Sequence, residues 1–402
     1  MVAWSTMDIT KLKTVAGDAV DKYKDELNEL SQAIWSVPEL NFNEHSAHRV
    51  LTEFLEKAGF KVERNFIIET GFRATYGDDD SSKPNICVIS EYDALPEIGH
   101  ACGHNLIAEV GVAAGLAIKA AMEASQIPLG KVTVLGTPAE EGGGGKIDMI
   151  NAKVFDDIDI AMMSHPSPFD HAKPPTLSID QCKVVYHGRA SHAAGFPWEG
   201  VNALDAAVLC YQSVSCLRQH FKPKWRVHGI IKNGGAKPNI IPDLTELEYY
   251  CRAPSDTELD ILKNKISKCF ESAAVATGCT VDYKFDERRY SSLISNKTIV
   301  GLFETNAAEA GIELWDEPDP PTGSTDMGNV SHVVPSIHPM YYIGGKAVNH
   351  TKEFTTDSGS AAAQPLTLRQ AKVLAYTALD IYSRPELLKQ IKQDFIKDLE
   401  NA

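Results

Sequence analysis

Apolar residues recur at a loose 3.6-residue spacing from Val15 to Ile34, and Pro38 breaks the pattern. A second helix starts within Glu44-His45-Ser46-Ala47-His48-Arg49-Val50-Leu51 and ends at Gly59. Beyond it, short runs rich in β-branched residues appear at Asn85–Ser90, Lys131–Gly136 and Ile158–Met163. Helical stretches at Asn105–Ser125, full of small residues, and at Lys146–Lys153 separate them. This alternation predicts an α/β fold with a mixed, mostly parallel sheet and helices on both faces.

The rhythm changes near Leu177. Cys182–His187 reads as a strand, Val201–Phe221 as a long amphipathic helix, and Trp225–Lys232 with Thr245–Arg252 as a strand pair. Asp256–Ala274 then reads as a helix and Cys279–Phe285 as a strand, a βαββαβ series of ferredoxin-like type. After Ser291 the first rhythm resumes, with helices at Lys297–Ala310 and Ala361–Ser383 and a strand at Met340–Ile343. The expected organisation is a catalytic α/β domain in two parts, 1–179 and 293–402, interrupted by an inserted α+β domain at 180–292.

Length supports that division, since 402 residues exceed one ordinary core. Lys plus Arg number 39 against 54 Asp plus Glu, a formal net charge of −15. A chain so acidic, without a basic run, is a poor binder of nucleic acid or of an anionic membrane. No run of ~18 apolar residues stands out as a membrane span. Met1–Asp8 lacks the basic-then-apolar order of a signal peptide, and eight scattered cysteines, never spaced Cys-x-x-Cys, form no disulfide framework. These features lead us to expect a cytoplasmic protein with reduced, mostly buried cysteines.

Candidate chemistry gathers directly after the predicted strands, where open α/β sheets bind ligands. Glu91 to His104 follows the first strand and carries Asp93, His100, Cys102 and His104. Thr137-Pro138-Ala139-Glu140-Glu141 and four glycines follow the second, Ser164-His165-Pro166 the third, and Gly344 to Thr351, with His350, the strand at Met340. Thiolate and imidazole are favoured ligands of Zn²⁺. Adjacent carboxylates diverge, so one can ligate a metal while the other acts as a base. Taken singly, each has a plainer reading: a hydrogen-bonded histidine, an inert thiol, or acidic residues at a helix start. Four of them at four strand ends make a metal site the better reading.

The segments Tyr92-Asp93-Ala94-Leu95-Pro96, His100-Ala101-Cys102-Gly103-His104, Pro138-Ala139-Glu140-Glu141-Gly142-Gly143 and Gly188-Arg189-Ala190-Ser191-His192-Ala193 resemble the aminoacylase and carboxypeptidase-G superfamily of two-metal amidohydrolases. Cys102-Gly103-His104-Asn105-Leu106-Ile107-Ala108 with Val348-Asn349-His350-Thr351-Lys352-Glu353-Phe354 is most similar to its β-alanyl-lysine-type dipeptidases. The resemblance runs from Pro38 to about Ala378. Two positions depart from other branches. Asn105 stands where plant-type indoleacetyl-amino-acid hydrolases carry Asp, and an amide cannot replace a carboxylate as base. Glu91 stands where strict carboxypeptidases carry His, so their ligand set does not transfer.

Carried over residue by residue, the resemblance implies that Cys102, His104, Glu141, His165 and His350 ligate two divalent ions, Zn²⁺ first, with Mn²⁺ and Co²⁺ sharing such sites. Glu140 is then the general base and Asp93 the carboxylate that orients His104. His192 stabilises the oxyanion across a homodimer joined through the inserted domain. Asn239 and Arg252 hold the substrate's carbonyl and terminal carboxylate, with Gly323-Ser324-Thr325-Asp326 as a substrate-binding turn. The implied reaction is hydrolysis of small dipeptides with a free carboxylate, β-alanyl or γ-aminobutyryl groups joined to Lys, ornithine or Arg. An N-acyl-amino-acid amidohydrolase and a catalytically dead peptide-binding relative are the alternatives.

Overall fold

The computed structural model describes residues 8–315 and 323–400, so Met1–Met7, on which the reading of the chain start rests, lie outside the described residues. The chain divides into two compact units, one of Thr176–Ser292 and one formed by the segments on either side.

In the two-segment unit, α1 (Ile9–Lys22), α2 (Lys24–Trp35) and α3 (His45–Lys57) lead into β1 (Lys61–Arg64), β2 (Phe72–Gly77) and β3 (Asn85–Ser90). Then come α4 (His104–Ala124), β4 (Lys131–Gly136), α5 (Gly145–Asn151), β5 (Ile160–Met162) and β6 (His165–Ser167). The Val15–Ile34 pattern is therefore two helices rather than one, because the backbone at Tyr23 turns to ψ 10°. Both pieces pack on α4.

The inserted unit carries β7 (Ser178–His187), α6 (Ala203–Leu217), β8 (Arg226–Asn233), β9 (Leu244–Ala253), α7 (Asp256–Thr277) and β10 (Thr280–Phe285). Afterwards the first unit resumes with α8 (Lys297–Glu309), α9 (Met327–Ser331), β11 (Ser336–Ile337), β12 (Met340–Tyr342), α10 (Lys352–Ser358), α11 (Ala363–Tyr382) and α12 (Pro385–Leu399).

The main sheet has the order β1-β2-β4-β3-β5-β11. Strands β4, β3, β5 and β11 run parallel, whereas β1 and β2 add an antiparallel edge that the sequence pattern did not reveal. All six residues of β3 are buried, as suits a strand covered on both faces. Helix α4 lies close over it because Gly111 and Gly115 leave no Cβ to collide with Ser90 and Val134. By length and composition α4 is apolar enough to cross a membrane, which corrects the expectation that no such segment exists; 83% of its most apolar stretch is buried inside the protein. Strand β12 is not the fourth strand of the sheet. It pairs with β6 in a separate two-stranded ribbon, and the sheet position beside β5 belongs to the two-residue β11.

The inserted unit is a four-stranded antiparallel sheet, β10-β7-β9-β8, with α6 and α7 packed on it. Asn202 caps α6 by accepting from the Leu204 and Asp205 amides, and Ser255 caps α7 through the Glu258 amide. Gly278, at φ 76°, ends α7. All eight cysteines are free and six are buried.

Candidate metal centre

The register of the parallel strands sets the site. Ser90 lies opposite Gly136, and Val88 opposite Met162, so Glu91, Thr137 and Ser164 leave the sheet along one edge. His165 and His338 follow β5 and β11 at the same edge. Cys102 and His104 arrive there through Gly103, whose φ of 78° starts α4 with His104 as its first residue. A Cβ on Gly103 would strike Pro166.

These segments bring the five sequence-derived ligand candidates together. One atom each of Cys102, His104 and His165 lie within 4.8 Å of one another, and so do groups formed by Cys102, Glu141 and His350 and by His104, Glu140 and Glu141. Cys102 Sγ is 3.3 Å from His165 Nε2. His165 Nδ1 faces the Pro166 carbonyl at 2.8 Å, which fixes its proton there and leaves Nε2 with a lone pair. Asp93 holds two partners at once. Its Oδ1 is 3.0 Å from His104 Nδ1, and its Oδ2 accepts from the Glu141 amide at 2.9 Å.

The opposite side of the histidine is crowded with acceptors. His104 Nε2 is 3.8 Å from both Glu140 Oε2 and Glu141 Oε1, and Glu141 Oε1 is 3.4 Å from His350 Nε2. His104 Nε2 and Glu141 Oε1 are buried without a hydrogen-bond partner among the described residues. Burial lowers the His104 pKa, yet Asp93 and Cys102 outweigh it and hold the imidazole well above its usual range. Burial, together with Glu91 and Glu141, pushes the Glu140 carboxyl well above normal. Burial and then His104 bring His165 down to about 4, so its imidazole is neutral and able to ligate. Orphaned donor atoms, a thiol, imidazoles and carboxylates packed at these distances fit a divalent cation of the zinc, manganese or cobalt kind.

Two buried side chains beside these groups, Lys146 and His338, escaped the sequence reading, and Glu91 and Asp326, which it named for other reasons, lie with Lys146. Lys146 is fully buried, 2.5 Å from Glu91 Oε1 and 2.6 Å from Asp326 Oδ1. Glu91, Glu140 and Asp326 form a further acidic group beside it. The Gly323–Asp326 turn thus reaches the site through Asp326, whereas Gly323 stays exposed and Ser324 half-buried. His338, 4% exposed, has its ring centroid 5.6 Å from that of His165, and its Nε2 lacks a hydrogen-bond partner among the described residues. Asn105 faces the helices instead, donating to Ser31 Oγ and the Ser358 carbonyl.

The inserted unit keeps two of its three candidates together and the third apart. His192 is exposed, and its Nδ1 accepts from the Ala194 and Gly195 amides at 3.3 and 3.0 Å, so the neutral ring carries its proton on Nε2. Asn239 is adjacent, its carbonyl accepting from the Ala193 amide. Arg252 is not with them. Leu244 of β9 pairs with His187 near the His192 loop, but Arg252 pairs with Ile179, eight residues along the same strand. At ~3.4 Å per residue that is about 27 Å.

Comparison with known proteins agrees with this architecture. The chain is 51% identical to a Mus musculus protein named Xaa-Arg dipeptidase, over 97% of this chain and 94% of that one. It is 49% identical to the Homo sapiens Xaa-Arg dipeptidase, over 97% and 93% of the two chains. A solved structure of a Bacillus subtilis dinuclear metal-binding peptidase shares the fold, with a TM-score of 0.71 at 18% identity, covering 90% of this chain and 99% of that one. Residues 87–366, which hold all the ligand candidates and the parallel core apart from the first two residues of β3, match the model of peptidase family M20/M25/M40, and the chain belongs to that family.

Proposed function

We propose that this protein is a metal-dependent dipeptidase that cleaves small dipeptides bearing a free C-terminal carboxylate and a basic C-terminal residue. The observation that carries the reading is the adjacent pair Glu140 and Glu141, both within 3.8 Å of a histidine whose Nε2 has no hydrogen-bond partner among the described residues. Likeness at about half identity to two dipeptidases named for Arg supports the basic residue. Two ions, most simply Zn²⁺, would be held by Cys102, His104, Glu141, His165 and His350. Bound divalent ions supply Lewis acidity, which lowers the pKa of water from 15.7 to roughly 7 and polarises a carbonyl.

Glu140 accepts the proton of the attacking water and returns it to the leaving amine. Asp93 orients His104 through Nδ1 and steadies Glu141 through its amide. Arg252 pairs with the terminal carboxylate by charge-assisted hydrogen bonds. β-Alanyl or γ-aminobutyryl groups joined to Lys, ornithine or Arg are the favoured substrates. The test is a panel of such dipeptides, their C-terminal amides and N-acetyl amino acids. Free dipeptides are expected to exceed the amides by about 100-fold in kcat/KM. Equal turnover of the amides would remove Arg252 from this role, and preference for N-acetyl substrates would make the protein an amidohydrolase of the acylase kind.

The oxyanion donor in this reading is His192 Nε2, contributed by a second copy of the chain. Two α-residues span at most ~7 Å, and the one or two extra methylenes of a β-alanyl or γ-aminobutyryl group still leave a dipeptide far short of the distance from Arg252 to the His192 end of β9. Val208, Leu209 and Tyr211 of α6 and Ile230 and Ile231 of the edge strand β8 are exposed, a surface suited to pairing two inserted units. Mixing His192→Ala with Glu140→Gln under subunit exchange is expected to restore up to about a quarter of wild-type activity, since half the dimers are mixed and each has one complete site. Absent recovery despite proven exchange would exclude action across the dimer.

A further inference from the structure

Ala139 immediately precedes the two carboxylates, and its φ is 61°, in the left-handed region that a non-glycine residue occupies only when its surroundings impose it. What imposes it lies about a hundred residues earlier, in the turn between α2 and α3. Glu44 is fully buried, and its Oε1 accepts from the Ala139 amide at 2.9 Å and from the Phe42 amide at 3.0 Å. Its Oε2 accepts from Thr70 Oγ1 at 2.7 Å, and the Thr70 carbonyl in turn accepts from the Tyr92 hydroxyl.

The same turn grips the loop at two more points. Asn41 Nδ2 donates to the Gly142 carbonyl at 2.8 Å, and the Phe42 ring packs where a Cβ on Gly143 would be. It also reaches the other ligand loop, since the Ala94 amide, next to Asp93, donates to the Glu39 carbonyl at 2.8 Å. The Glu140–Glu141 pair is therefore bracketed by two buried carboxylates: Glu44 holds the amide before it and Asp93 the amide of Glu141.

We propose that Glu44 is a positioning residue which, by its hydrogen bond to the Ala139 amide, holds the left-handed turn that aims Glu140 and Glu141 at the centre. It works as an acceptor and not as a charge. Glutamine fits the same contacts, its oxygen accepting from both amides and its NH₂ donating to the Thr70 hydroxyl. This rests on the dipeptidase reading for its kinetic readout only, because the turn itself can be followed by amide exchange.

The experiment compares wild type, Glu44→Ala, Glu44→Gln and Asn41→Ala by steady-state kinetics on the dipeptide panel and by hydrogen–deuterium exchange. Glu44→Ala is expected to lower kcat about 100-fold with KM within about threefold, as misplacement of reacting groups by ~1 Å does. Exchange should rise about tenfold or more in the 137–145 segment and stay unchanged in β3 and α4. Glu44→Gln should keep wild-type exchange and at least about a third of kcat. Asn41→Ala, which leaves Glu44 in place, should loosen 142–145 alone and lower kcat only a few-fold; it decides the matter if Glu44→Ala does not fold. Three results would overturn the proposal. One is wild-type kcat and exchange in Glu44→Ala, or in Asn41→Ala where Glu44→Ala does not fold; another is a rise in exchange throughout the protein; the third is Glu44→Gln as inactive as Glu44→Ala. Failure of the wild type to cleave any dipeptide would instead sink the proposed function, with the exchange pattern still judging the clamp.

Discussion

Glu140→Gln is expected to lower kcat about 10³-fold while the protein keeps both metal ions, whereas Glu141→Gln is expected to lose metal. The two side chains are neighbours in sequence, but their surroundings differ. Glu141 Oε1 lies between His350 and His104, in two of the three candidate ligand groups that contain Cys102 or His104, and has no hydrogen-bond partner among the described residues. Glu140 belongs instead with Glu91 and Asp326 as well as His104, on the side of the site lined by carboxylates. Glutamine preserves its shape and removes only its capacity to accept a proton, so the loss should fall on kcat. Elemental analysis beside kinetics decides the assignment. If Glu140→Gln loses metal and Glu141→Gln keeps it, the roles are exchanged.

Removing the metal should be still more severe. Chelation is expected to abolish hydrolysis, beyond a 10³-fold loss, and Zn²⁺, Mn²⁺ or Co²⁺ should restore it at two ions per chain. The secondary structure should survive, because the sheet and its helices are held by apolar contacts in which the site takes no part. The melting temperature should nevertheless fall, since an ion that binds only the folded state stabilises it by mass action. Cys102 belongs to two ligand groups, so Cys102→Ala should reduce the metal content more than loss of His350, which belongs to one. Full activity in rigorously metal-free protein would end the two-metal reading.

Much of this is legible in the sequence. The apolar β-branched runs Asn85–Ser90 and Lys131–Gly136 coincide with β3 and β4 to the residue, because a strand buried on both faces has little freedom in its composition. The ligand candidates were legible for a related reason: polar residues directly after such runs sit at the open edge of the sheet. His338 was not, because β11 is two residues long, flanked by Pro335 and Pro339, and the longer run at Met340 drew the strand assignment instead. Lys146 reads as a solvent-facing residue near a helix start, and only the fold brings Glu91 and Asp326, separated by more than two hundred positions, onto its ammonium. β1 escaped because Lys61-Val62-Glu63-Arg64 is polar enough for an edge strand and so carries no apolar pattern. The separation of Arg252 from His192 is a matter of register, which pattern alone does not set.

The buried Lys146 also bears on how many cations the proposed centre would hold. Glu91, Glu140 and Asp326 would by themselves be an inviting third berth for a divalent ion. An ammonium already occupies it, tied to the chain and paired with two of the three carboxylates. An ion entering there would have to expel a covalently tethered rival and leave its charge stranded in a low-dielectric interior, at a cost of several kcal/mol. The acidic floor is thus neutralised from within, and in the proposed reading the capacity of the site would end at ions held by the cysteine and the histidines.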